Sequence, residues 1–215
     1  MKSKRHYISE MPRRIDPLDP ELGFKDLNLN RRIASGVLES SNKIQIKQFN
    51  NGLVLYRIAN KFVLIDPFRV TVVYYLAWKT KFFKYLNTKV VSTVLHWRDR
   101  PIPGQIGLTS WVFFDLLLPI EGAIMTDIKH SSPGEAFWVR RIEEALEKNL
   151  YVYYLDLLPS DEATNRQLLR IKDSLHLYHL LIPNVDDKTQ PWGDTTKFEG
   201  RRIIISNKQI ITKTD

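Results

Sequence analysis

The sequence contains no cysteine among its 215 residues. That absence excludes a disulfide framework, an iron–sulfur cluster, a zinc site built on thiolates and a cysteine nucleophile, and it fits a reducing compartment. The chain also lacks an apolar run of the roughly 18 residues that a membrane helix needs. Its basic N-terminus has no apolar segment behind it and so differs from a secretory signal. We therefore expect a cytoplasmic protein that does not enter a membrane.

The common catalytic signatures are missing as well. The sequence holds no His-Glu-x-x-His, no Gly-x-Ser-x-Gly and no Walker-type loop, which removes support for a metalloprotease, a serine hydrolase or an NTP-driven enzyme. Asp173, His176 and His179 are spaced three residues apart, so a helix would make neighbours of the first two. The third has drifted around the helix and no fourth ligand is evident. We expect no metal site.

The residues that are present suffice for a folded domain. Hydrophobic residues make up 43% of the chain and aromatic residues 11%, which is enough to build a core. Lysine and arginine exceed the acidic residues by eight, a net charge of +8. Such an excess permits contact with nucleic acid, an acidic protein or a phosphate-bearing cofactor, and does not choose among them.

Residues 1–42 differ from the rest of the chain in composition and in hydrophobic patterning. They contain three prolines and no sustained hydrophobic period, and the first fourteen residues carry five lysines and arginines against one glutamate. These features predict an irregular basic N-terminal arm, followed by a domain over residues 43–215. The arm either lies solvated on the domain or docks a partner.

The patterning of the domain changes at about residue 100. Residues 44–97 alternate, are rich in β-branched and aromatic side chains and contain turn signals, which predicts an antiparallel meander. Helices alternate with strands after that point. The predicted later elements are a glycine turn at 104–107, a helix at 111–118, a strand at 123–127, a helix at 131–148, a strand at 150–155, a helix at 162–174 and a strand at 201–206.

This order resembles the layout of the GNAT superfamily of N-acyltransferases, in which a strand, a loop, a helix, a strand, a helix and a strand follow one another. The resemblance covers about residues 44–206. Several phrases are also similar to GNAT-like proteins of tailed bacteriophages, among them Val94–Arg98 and Ile124–Asp127. The resemblance implies an α+β fold with a mixed, mostly antiparallel sheet flanked by helices. If the chain is phage-encoded, the resemblance also implies that the protein is located in the cytoplasm of the host.

The resemblance further implies a site for acetyl-CoA or another acyl-CoA. In the superfamily, the loop before the first helix of this series holds the pyrophosphate of coenzyme A. A helix N-terminus offers unpaired N–H groups to an anion, and glycines let the backbone approach closely. A plain glycine connection explains the same pattern equally well. The residues expected to hold the cofactor are Arg98, Arg100, Gly104, Gln105, Gly107 and Thr109.

Two side chains beside the expected cleft are candidates for catalysis. The imidazole of His96 has a reference pKa near ~6.5, which suits a general base acting on an amine. Asp127 follows the strand at 123–127 and would orient the amine. The alternatives are a histidine hydrogen-bonded within the sheet and a polar residue that begins a turn.

Residues 79–100 combine positive charge with aromatic side chains. Such a segment grips a single strand of nucleic acid when lysines contact phosphates and rings stack on bases. The alternative is a solvated hairpin bend whose rings pack inward. The candidate contacts to nucleic acid or a partner protein are Lys79, Lys81, Lys84 and Lys89.

Two hypotheses of function therefore stand. The first is a coenzyme-A-dependent N-acyltransferase with an unknown acceptor. The second is a non-catalytic phage accessory protein on a GNAT-like fold, which binds nucleic acid or a host protein through basic surfaces. The layout favours the first. The spacing of Gln105–Thr109 departs from the superfamily loop, and Phe137 and Trp138 stand on the helix that often carries a tyrosine, which favours the second.

Overall fold

The computed structural model describes residues 7–9, 24–99, 107–126, 132–156, 167–181 and 201–211. Within them the fold is α+β, with a large mixed sheet that is mostly antiparallel and is flanked by helices, as the sequence predicted. No helix of the described residues combines the length and the apolar character needed to cross a membrane.

The elements follow the chain with four helices and ten strands in the described ranges. They are β1 (Tyr7–Ser9), α1 (Leu27–Glu39), β2 (Ile44–Gln48), β3 (Val54–Ile58), β4 (Lys61–Asp66), β5 (Thr71–Phe83), β6 (Thr88–Arg98), α2 (α-helical at Leu108–Trp111, π-helical at Val112–Leu117, α-helical at Leu118–Glu121), β7 (Ala123–Met125), α3 (Ser132–Glu147), β8 (Tyr151–Asp156), β9 (Gln167–Ile171), α4 (Ser174–Leu181) and β10 (Arg201–Ser206).

Contacts within the chain divide it into two units. The first comprises residues 1–79 and 94–107, and the second residues 80–93 and 108–215. The strands β5 and β6 contribute residues to both.

The first unit contains the predicted meander. Its strands lie in the order β2, β3, β4, β5 and β6, and β1 pairs antiparallel with β6. Every second residue of β5 from Val72 to Trp78 is buried, whereas the residues between them are partly exposed. Strands with this alternation bury one face on a core.

The helix α1 corrects the prediction of an irregular arm over residues 1–42. Asp26 caps the helix, because its carboxylate accepts hydrogen bonds from the backbone N–H groups of Asn28 (2.9 Å) and Leu29 (3.1 Å). The buried face of α1 consists of an asparagine, an alanine and a valine. Ile33 and Leu38 are partly buried beside this face and pack against the same core, so the sequence carries a short apolar stripe that the prediction overlooked. The helix forms because Ala34 and Val37 pack in the core of the first unit.

A buried asparagine attaches α1 to the sheet. Asn30 is 5% exposed, and its side-chain amide satisfies both backbone groups of Val72 in β5. The Oδ1 atom accepts from the Val72 N–H (2.6 Å), and Nδ2 donates to the Val72 carbonyl (3.1 Å) and the Phe24 carbonyl (3.2 Å). The amide thus takes the place of a neighbouring strand at this point.

The second unit joins strands that are distant in the chain. β6 pairs with β7 in parallel at Val91 and Ile124. β10 then pairs antiparallel with both β7 and β8, and β9 continues the sheet beyond β8. The residues Ile203, Ile204 and Ile205 are at most 1% exposed, so β10 is buried on both faces.

The helix predicted over residues 162–174 is wrong for its described part. Residues 167–171 form β9, which pairs with β8 from Asp156↔Gln167 to Val152↔Ile171. Asp173 then caps α4 through a hydrogen bond from the His176 N–H (2.8 Å). The spacing of Leu168, Leu169 and Ile171 fits either element, and the available edge of β8 decides between them.

We expect Asn30→Ala to lower the free energy of unfolding by about 2 kcal/mol, because it leaves buried backbone groups without hydrogen bonds. The matched control is Asn28→Ala, an exposed asparagine of the same helix, which should cost less than about 0.5 kcal/mol. Urea denaturation measures both. Equal losses for the two variants would contradict the role given to the buried amide.

The alkaline stability of the protein should depend on Tyr75. Burial raises the pKa of Tyr75 from 10.0 to about 12. As the pH rises, the hydroxyl therefore ionises in the unfolded chain before it ionises in the folded protein. The contribution of Tyr75 to stability is fully present below pH 10 and is lost as the pH rises toward 12. The phenylalanine in the variant Tyr75→Phe has no group that ionises. When the pH rises from about 8 to about 11, we therefore expect the variant to lose about 1 kcal/mol less stability than the unmodified protein loses. Identical losses in urea denaturation would refute this assignment.

Candidate functional site

The amino end of α2 is preceded by an open glycine. Gly107 has a φ of +81°, a conformation that favours glycine, and its backbone is exposed. Among the described residues, the chain neighbours of Gly107 aside, no heavy atom lies within 4 Å of the position that a Cβ atom would occupy there. Leu108 is 4% exposed and anchors that turn in the protein.

A network of polar side chains fixes the first turn of α2 to α3. The Ser110 hydroxyl donates a hydrogen bond to Oε1 of Glu144. The other carboxylate oxygen of Glu144 forms an ion pair with Nη2 of Arg141 at 3.0 Å. The Arg141 side chain is 6% exposed and that of Glu144 is 22% exposed, so the pair is largely shielded from water.

Aromatic side chains surround the guanidinium group of Arg141. Its Cζ atom lies 5.9 Å from the ring centre of Phe114 and 5.6 Å from that of Phe137, distances at which a cation is attracted to a ring. Trp138 is fully buried and packs edge-on against Phe113 at 5.8 Å. The π-helical segment of α2, which contains Phe113 and Phe114, thus packs against α3.

The strand β7 is attached to β10 at both ends. Thr126 follows β7 and is fully buried; its N–H donates to the Ile203 carbonyl (2.8 Å), and its Oγ1 accepts from the Ile203 N–H (3.0 Å). At the start of β7, the Ser206 hydroxyl donates to the Gly122 carbonyl (3.1 Å). Asp127, the next residue, lies outside the described residues.

The candidate base His96 is buried. It is 5% exposed, and its ring contacts that of Tyr74 edge-on at 5.1 Å. This position in the sheet favours a packing role over proton transfer to a substrate.

The expected cofactor residues are only partly covered by the structure. Arg98 ends β6 with a partly exposed side chain, Gly107 is exposed, and Thr109 is partly buried in the first turn of α2. Gly107 and Thr109 therefore stand together at the amino end of the helix. Arg98 and Gly107 belong to the first unit and Thr109 to the second. Three further candidates lie outside the described residues: Arg100, Gly104 and Gln105.

The described side chains contain no group of three histidines, aspartates or glutamates that could hold a metal ion. The spacing of Asp173 and His176 has another explanation here, since the aspartate caps α4.

The lysine-rich segment forms the end of the β5–β6 hairpin. Some of its aromatic rings pack inward and one is exposed to solvent. Phe83 and Tyr85 are partly buried and pack against a core cluster that includes Leu86 and Val90. Phe82, in contrast, is 56% exposed. All four candidate lysines are exposed (Lys79, Lys81, Lys84 and Lys89), and Lys89 also contacts Glu121 at 3.4 Å.

Sequence reasoning missed Ser110, Arg141 and Glu144. Arg141 and Glu144 are three residues apart on a helix, a spacing that permits an ion pair. The same spacing is common on solvated helix faces, so the sequence alone carries no signal that this pair is buried or that it reaches α2.

No protein-family model, no curated protein and no solved structure matches the chain.

The Arg141–Glu144 pair yields a prediction about stability. We expect Glu144→Ala to lower the free energy of unfolding by about 2 kcal/mol, because it leaves the Arg141 guanidinium buried without its carboxylate. Glu147→Ala, on an exposed residue of the same helix, is the control. In a background that carries Arg141→Met, Glu144→Ala should cost much less. An undiminished cost in that background would show that Glu144 acts independently of Arg141.

Proposed function

We propose that the protein is a GNAT-like N-acyltransferase that binds an acyl-coenzyme A at the amino end of α2 and transfers the acyl group to an amine. The observation that carries the proposal is the parallel pair of β6 and β7, connected through α2. In the layout of the superfamily, the corresponding two strands border the cofactor cleft.

The parallel pair determines the direction of the helix. When a helix connects two parallel neighbouring strands, it runs antiparallel to them, so its amino end lies on the side of their carboxyl ends. Ligands of sheets with such connections bind on that side. Within the part of the chain that the structure describes, β6 and β7 pair at one position, Val91↔Ile124. So short a pairing agrees with the separation of these strands that the resemblance implies for the pantetheine arm.

The chemistry of the first turn suits a pyrophosphate group. The first N–H groups of α2 have no partners within the helix, and the helix dipole places positive potential at them. Gly107 leaves space for phosphate oxygens in front of them. Thr109, in the first turn itself, would offer a hydroxyl.

The transfer itself requires a neutral amine in contact with the thioester. The nitrogen lone pair attacks the carbonyl carbon, a C–N bond forms, and the C–S bond breaks as the tetrahedral intermediate collapses. The electron pair of that bond leaves on the sulfur, and the proton lost by the nitrogen reaches the thiolate through water. We assign the proton to water because the imidazole of His96 is buried.

Isothermal titration calorimetry with acetyl-coenzyme A tests the cofactor site. We expect saturable micromolar binding that Gly107→Leu weakens by at least about ten-fold, because the side chain fills the approach to the helix. The matched control is Gly122→Leu. Gly122 has a φ of +80°, so a substitution strains its backbone as it does at Gly107, but at the opposite end of α2.

Thermal unfolding of both variants shows whether each is folded at the temperature of the titration. Absence of binding at millimolar acetyl-coenzyme A would overturn the proposal. An equal effect of the two substitutions would overturn the location of the site. If binding is found, release of free thiol in the presence of candidate amines tests the transfer.

A further inference from the structure

The end of the β5–β6 hairpin carries a second, independent feature. We call residues 79–89 the basic hairpin tip; they contain four lysines and no acidic residue. We infer that the basic hairpin tip binds single-stranded nucleic acid, with lysines on the phosphates and Phe82 stacked on a base.

The positive charge of the tip faces solvent. Lys81 and Lys84 are exposed, as is Lys79 two residues before Lys81 on the same strand. Lys89 is different, since it contacts Glu121, whose side chain is 8% exposed. Three lysines therefore remain available to an external anion, and they lie within six residues of one another.

Among the described aromatic residues of the tip, Phe82 is the one whose side chain is exposed. Successive residues of β5 alternate between the two faces of the strand, so Phe82 is expected on the same face as Trp78, which is 3% exposed. Phe82 is nevertheless 56% exposed; the exposed Lys84 follows it directly after the end of β5, whereas Lys79 and Lys81 lie on the other face of the strand. An exposed ring with lysines close to it in the chain is the arrangement that stacks on a base while its neighbours bind the backbone.

The neighbouring aromatic residues support this arrangement. Phe83 and Tyr85 pack against the core cluster of the second unit and so hold the tip in place. The Lys81 ammonium group lies 5.5 Å from the centre of the Phe83 ring, which favours a defined position of that lysine. The lysines are thus presented by an ordered hairpin, so less conformational entropy is lost on binding.

Other partners fit these observations less well. An acidic protein would account for the lysines and leave the exposed ring of Phe82 unexplained. A duplex hides the faces of its bases in the stack, whereas a single strand offers them to a ring. A membrane surface calls for a broad apolar face, and among the described residues of the tip one large apolar side chain is exposed.

Fluorescence anisotropy with a labelled oligothymidylate of about 20 nucleotides tests the stacking contact. We expect Phe82→Ala to weaken binding roughly ten-fold, and Phe82→Trp to retain it. The control is Phe68→Ala, since Phe68 is 89% exposed and lies outside the tip. Unchanged affinity of Phe82→Ala, or an equal effect of the control, overturns the inference.

The salt dependence of the same titration tests the phosphate contacts. The double variant Lys81→Ser/Lys84→Ser should reduce the slope of log K against log salt by about 1.4. The variant Lys172→Ser/Lys208→Ser removes the same charge from two exposed lysines elsewhere and should leave the slope nearly unchanged. Equal slopes for the two variants would indicate a response to net charge alone and overturn the inference.

Two competitors test the class of the ligand. A duplex of the same length that binds as tightly as the oligothymidylate, or polyglutamate that displaces it at equal charge concentration, would refute binding to a single strand. These measurements do not involve acyl-coenzyme A, so the basic hairpin tip and the proposed cofactor site can fail separately.

Discussion

The second unit depends on the placement of β10 between β7 and β8. Among the described residues, β7 pairs with β6 at one position and with β10 at three, so antiparallel pairing with β10 supplies most of its hydrogen bonds. Ile204 lies opposite Met125 on one side and Tyr153 on the other, and it is fully buried. Bringing together strands so distant in the chain costs loop-closure entropy, which the burial of the isoleucines offsets.

The candidate site depends on the same constraint. β10 holds β7, the strand into which α2 leads, at both ends. The link from Ser110 through Glu144 to Arg141 then fixes the first turn of the helix to α3. This ion pair supports the helix end at which the proposed acyl-coenzyme A site lies.

Patterns of neighbouring residues correctly predicted those elements whose formation depends on short-range sequence features. The meander of the first unit and the helix α3 follow from alternation and from the serine, proline and glycine that begin the helix. The prediction was wrong at α1 and at β9. α1 places a polar residue, Asn30, in its buried face, and the attachment of Asn30 to Val72 spans 42 positions in the chain. β9 has a spacing that fits a helix as well as a strand, and its pairing with β8 decided the outcome.

The sequence by itself determined which chemistries are absent, where the alternating strands lie and where the lysines concentrate, because composition and local periodicity are properties of neighbouring residues. Only the tertiary structure decided which side chains each element buries. It placed His96 against Tyr74, turned Phe83 toward a core and left Phe82 in solvent. These outcomes depend on residues far apart in the chain, since burial is a property of the surface that an element meets and not of its own sequence.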